Sequence, residues 1–107
     1  MTFTHKILGQ STILSASNST IYTVPGTTTG IVKILWITNT TASDVTIELW
    51  LGAATGDANK LMDGVTIPAN DFVQVFTDIG LAATETIQAK GSTNLALSVT
   101  ATGAEIA

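Results

Sequence analysis

The chain contains neither cysteine nor arginine. Without cysteine there is no disulfide framework, no Cys-ligated zinc site and no thiol nucleophile. Charge of any sign is scarce: 11% of residues are charged, against about 25% in an ordinary soluble domain. Four lysines face eight carboxylates, a formal net charge of −4. That balance argues against a nucleic-acid reader, which needs a basic surface for phosphates, and against a peripheral protein of anionic membranes. Apolar runs are short, and none approaches the ~18 residues of a membrane helix. Met1 to Lys6 leads into polar Gln10-Ser11-Thr12 with no continuous apolar core, so no signal peptide is expected.

What the chain does have is β-forming side chains. Its 107 residues fit one domain. Hydrophobic residues make up 45%, mean hydropathy is +0.41, and Thr, Val and Ile dominate, the composition of strands.

Strand-like segments alternate with turn signals. Ile13 to Ala16 is a short apolar stretch before Ser17-Asn18-Ser19. Thr20 to Val24 reads as a strand closed by Pro25-Gly26, since Pro lacks a ladder N–H. Ile31 to Thr38 is apolar at nearly every position, the pattern of a strand buried on both faces. Val45 to Leu51 alternates cleanly, with Val45, Ile47, Leu49 and Leu51 on one face and Thr46, Glu48 and Trp50 on the other. These two segments, joined by Asn39 to Asp44, read as a hairpin. Gly52 to Asn59 is a loop. Lys60 to Met62 and Val65 to Ile67 are short segments either side of Asp63-Gly64. Phe72 to Phe76 is a strand, and Asp78 to Ala83 is a loop or one helical turn. Thr84 to Lys90 and Leu95 to Thr102 read as a closing pair. No segment carries an amphipathic helix.

Eight or so short antiparallel strands at this spacing predict an all-β, two-sheet β-sandwich of jelly-roll type. Residues 13–107 form the single domain, and residues 1–12 an N-terminal arm. The expected core is Ile47, Leu49, Ile67, Ile87, Leu97 and Val99. Thr23-Val24-Pro25-Gly26 and Thr66-Ile67-Pro68-Ala69 share one pattern, read first as a strand-ending turn used twice and, alternatively, as the mark of two similar halves.

Catalytic chemistry has little to work with. His5 is the only imidazole, and a catalytic or metal-ligating histidine needs a partner placed by the fold. Most of the acids fall at turns, where Asp bonds the backbone; only Glu48 and Glu85 look strand-borne. Gly56-Asp57-Ala58-Asn59, with Asp63, offers too few oxygens for a regular calcium loop. There is no Gly-x-Ser-x-Gly elbow and no phosphate-binding glycine loop. The expectation is no catalytic site, no cofactor and no metal.

The tryptophans carry more. Strict alternation puts Val32, Ile34 and Trp36 on one face. A hairpin register pairing Ile37 with Ile47 sets Trp36 opposite Glu48, with Trp50 diagonal to it. Val32, Ile34, Trp36 and Trp50 would then make an apolar patch outside the core, the mark of an interface; an outward Trp pair also suits sugar stacking. The arm, with Phe3, Ile7 and Leu8 and no evident strand partner, is a second candidate for docking. So little polar surface favours a homo-oligomer.

The order Ile21-Tyr22-Thr23-Val24-Pro25, Ile31 to Thr40, Val45-Thr46-Ile47-Glu48-Leu49, Val65-Thr66-Ile67-Pro68-Ala69 and a closing Ala104-Glu105-Ile106 resembles small all-β virion structural proteins of tailed bacteriophages, the capsid decoration (cement) and tail-associated proteins. Thr84-Glu85 stands where such proteins often carry Gly-Asp. The resemblance implies a protein made in the host cytoplasm and placed on the virion. It would be an oligomer, a trimer for preference, bound to the major capsid protein or another virion protein and stabilising the head lattice. A tail or fibre adhesion module and a carbohydrate-binding module are the alternatives.

Overall fold

A computed structural model describes residues 3–13, 15 and 17–107. Residues 1 and 2 of the expected arm, and residues 14 and 16 of the apolar stretch after it, lie outside the described residues. The strands are β1 (Phe3–Thr12), β2 (Ser19–Thr23), β3 (Thr29–Asn39), β4 (Val45–Gly52), β5 (Lys60–Ile67), β6 (Phe72–Leu81), β7 (Thr86–Gly91) and β8 (Leu97–Ile106). A 3-10 turn, Asp57–Asn59, precedes β5. Two four-stranded sheets result, in the orders β1-β8-β3-β6 and β2-β7-β4-β5, and every pairing is antiparallel. This is the β-sandwich of jelly-roll type that the strand spacing predicts.

The inner faces explain the two layers. In β4 alone, Val45, Ile47 and Leu49 are at most 1% exposed, and a face that apolar must be covered by another. Ile67 and Ile87 extend this face within the second sheet, Leu97 and Val99 meet it from the first, and all six expected core residues are fully buried.

The chain changes sheet at every connection except the one from β4 to β5. The expected hairpin of β3 with β4 is therefore corrected. Both strands carry a continuous apolar inner face, and they bury it by facing each other across the core rather than lying side by side. Asn39 holds the crossing point. It is 1% exposed, and its Nδ2 donates to the carbonyls of Ser43 (2.8 Å) and Ile67 (3.0 Å). Its Oδ1 accepts from the Thr41 amide (2.9 Å) and the Thr41 hydroxyl (2.8 Å). A buried amide satisfied on both sides fixes the path of the chain where no ladder does.

The closing pair is corrected for the same reason: β7 lies in the second sheet and β8 in the first. Asp63-Gly64 is not a turn between two segments but an irregularity inside β5, with Gly64 at φ 64°. Of Asp78 to Ala83, expected as a loop or helical turn, Asp78 to Leu81 continue β6, and the turn begins only at Ala82 and Ala83. The repeated Thr, β-branched, Pro pattern has one structural role. In both copies it ends a strand of the second sheet, β2 or β5, just before the chain crosses to the first.

Candidate assembly surface

Residues 3–12, expected as an arm without a strand partner, form β1, which pairs with β8 from Phe3↔Ile106 to Thr12↔Ser98. The register of the first sheet then fixes which side chains share its outer face. One row crosses all four strands: Ile7, Thr102, Ile34, Phe76. The next row is Gln10, Thr100, Trp36, Gln74, and the next Thr12, Ser98, Thr38, Phe72. Towards the other end stand Phe3, Ile106 and Thr29, with Ile31 between.

Large apolar side chains in these rows are open to solvent. Phe76 is 73% exposed, Ile7 53%, Phe72 52%, Phe3 51% and Trp36 36%. Trp36 and Phe72 lie diagonally across β3 and β6 with ring centroids 5.6 Å apart, tilted by 31°, within the range of favourable aromatic pairs. His5 meets Phe3 edge to face at 5.0 Å. The charged pair on this side, Lys33 and Asp78 at 2.6 Å, neutralises itself.

The outer face of the second sheet is built differently. Thr46, Glu48, Thr66, Gln88 and Lys90 line it by register, as the solvent side of an antiparallel sheet ordinarily is. The apolar outer face therefore belongs to one sheet and not to the fold as a whole.

Of the seven residues proposed from sequence, Trp36, Ile34, Phe3 and Ile7 come together on this face. Val32, Leu8 and Trp50 do not. Val32 is fully buried, because the ladder slips between Val32 and Ile34. A bulge inserts one residue and reverses the alternation beyond it. Leu8 follows outward-facing Ile7 in β1, so alternation turns it into the core at 8% exposure once these residues form a strand. Trp50 does point away from the core, but from the other sheet. It is 6% exposed, with Lys60 Nζ 5.5 Å from its ring centroid. Lys60 is held there by Asp63 (3.1 Å) and Glu48 (3.7 Å), and the hydrogen bond it donates to Asp63 raises its pKa. The sugar platform built on an outward Trp36–Trp50 pair thus loses one ring.

The possible cation loop is occupied by internal contacts. Asn59 Nδ2 donates to the Leu51 carbonyl (3.2 Å), and Asp63 takes Lys60. Among the described residues no group of three His, Asp or Glu side chains is placed to hold a metal ion.

Phe72 and Phe76 were missed as surface residues. In Phe72-Val73-Gln74-Val75-Phe76 both faces are apolar, so alternation alone does not say which turns inward. Val73, Val75 and Ile79 pack against the core and leave the phenylalanines outside. No protein-family model matches the chain, and no curated protein matches it.

Proposed function

We propose that the protein is a structural component of a phage virion: a capsid decoration protein that docks through the outer face of its first sheet and stabilises the head lattice as an oligomer. The observation that carries the reading is the row Ile7, Thr102, Ile34, Phe76 running across all four strands, with Trp36 and Phe72 beside it. Exposed apolar patches of this kind mark interaction surfaces, and aromatic anchors dominate interface energetics. Jelly rolls build viral coat and lectin domains alike, so the fold by itself supports either; the apolar face favours protein contact over solvent.

The reading asks for no catalysis, no cofactor and no basic surface, in keeping with the composition. The major capsid protein or another virion protein is the partner, and the chain itself is the second. The test is the protein content of purified particles from the host that carries this gene. The proposal expects the chain in many copies per particle. Particles that lack it overturn the proposal.

A further inference from the structure

The second sheet ends in β2 and β5, the first in β1 and β6. Three of these edges are spoiled for pairing with another chain. β1 is bulged between Ile7 and Gly9, and at Gly9 it runs so close to the Ile21 carbonyl of β2 that a Cβ would collide with it. β2 is five residues long and itself irregular. β5 carries two irregularities, Gly64 at positive φ, and Lys60 and Asp63. Such devices are how proteins blunt an edge. On β6, the ladder from Phe72 to Phe76 is unbroken, and those five residues hold no charge, Pro or Gly.

The direction of the free backbone groups follows from one hydrogen bond. The Asn39 amide donates to the Asp71 carbonyl at 2.9 Å, which makes Asn39 and Asp71 a hydrogen-bonded pair. Alternation in an antiparallel ladder then points the backbone groups of Val73 and Val75 towards β3. Those of Phe72, Gln74 and Phe76 point outward, past the edge of the sheet. Only the Phe72 amide is taken, by Asp71 Oδ1 at 2.7 Å.

The sequence of this edge is a palindrome about Gln74: Phe72, Val73, Gln74, Val75, Phe76. We propose that β6 pairs antiparallel with β6 of a second copy, on a two-fold axis through Gln74. Gln74 then faces Gln74, Val73 faces Val75 and Phe72 faces Phe76. Each copy donates its Gln74 amide to the Gln74 carbonyl of its mate and its Phe76 amide to the Phe72 carbonyl of its mate. Apart from the Phe72 amide, which Asp71 holds, the outward groups are those a two-fold pairing at this register requires. The interface is isologous and closed, it joins two first sheets into one, and it sets the outer faces of both copies side by side. It replaces the expected trimer with a dimer, and it does not rest on what the outer face docks against.

The test uses the full chain. Wild type is expected to sediment as a dimer at micromolar concentration. Gln74→Pro removes an amide that points away from β3, so the internal ladder survives, and it should raise the dissociation constant at least tenfold with the far-UV circular dichroism unchanged. Should that variant misfold, Gln74→Lys, which sets like charges opposite one another, is expected to give the same shift. In a chain without cysteine, Gln74→Cys places two sulfur-bearing residues with Cα atoms about 5.5 Å apart, within disulfide reach. Oxidation should link it far faster than Thr66→Cys, an exposed position on β5. A monomeric or trimeric wild type overturns the proposal. So does a dimer that persists in Gln74→Pro and Gln74→Lys, or one whose cross-linking at position 74 is no faster than at position 66.

Discussion

Tyr22 on β2 donates its phenol hydrogen to Glu105 Oε2 on β8 at 2.5 Å, a bond that joins the two sheets. Lys6 on β1 approaches the other oxygen at 3.1 Å. Burial, and then the hydrogen bond and charge of Glu105, push the Tyr22 pKa far above its ordinary value of 10.0. Tyr22 is the only tyrosine, so its phenolate absorbance can be followed without interference. It is expected to stay protonated well beyond pH 10 in the folded protein. A raised value means the stabilisation is full below the unfolded pKa and is lost as pH rises through the folded one. In Glu105→Gln the midpoint should fall towards 10 but stay above it, because burial remains.

Glu105 shifts the opposite way. The hydrogen bond from Tyr22, then that from Lys6, holds its carboxyl below the ordinary value of 4.5. The stability from a depressed carboxylate is present above the unfolded pKa and lost as pH falls through the folded one. Wild type should therefore exceed Glu105→Gln in urea midpoint at pH 7, and the gap should close on acidification below pH 4.5. A gap independent of pH would place the effect in packing instead.

Asn39 is expected to behave as a corner post. Asn39→Ala strands the carbonyl of Ile67 and the amide of Thr41, and should cost about 1–3 kcal/mol per buried group left unpaired. Asn39→Asp sets a carboxylate against the carbonyls of Ser43 and Ile67, and should be at least as damaging at neutral pH. Denaturant unfolding of both variants checks this ordering.

The fold was largely legible in the sequence because alternation reports which side chains share a face. Ile47, Leu49, Leu97 and Val99 could be placed inside from that signal alone. Sheet membership could not. A hairpin and a crossing connection both need polar turn residues between two apolar strands, and the distinction at Asn39 lies in a side chain whose partners are set by the tertiary fold. The candidate site was legible in part. Trp36, Ile34, Phe3 and Ile7 stood out as apolar side chains in excess of core need. Val32 was misplaced because a bulge moves one residue out of phase without leaving a mark in composition, and Leu8 because residues 3–12 were expected as an arm and not as a strand in which it alternates with Ile7. Trp50 was misplaced because β4 lies in the second sheet and not beside β3, and there Lys60 covers its ring.

The two tryptophans should separate cleanly by fluorescence. Trp36→Phe leaves Trp50, whose emission is expected to be blue-shifted and resistant to acrylamide. Trp50→Phe leaves Trp36, open to solvent and readily quenched in the unassembled protein. Equal quenching of the two variants would contradict the assignment of the faces.

The central claim is that the outer face of β1, β8, β3 and β6 is the surface that docks. Phe3→Ser and Ile7→Ser change that face on β1, the edge opposite β6, so they leave strand pairing between copies intact. The direct measurement is co-sedimentation of the purified protein with particles stripped of it. Wild type is expected to rebind to saturation, while the Phe3→Ser/Ile7→Ser double variant, with unchanged circular dichroism, loses binding at least tenfold. A variant that rebinds as wild type does, or a wild type that stays in the supernatant, would contradict the account.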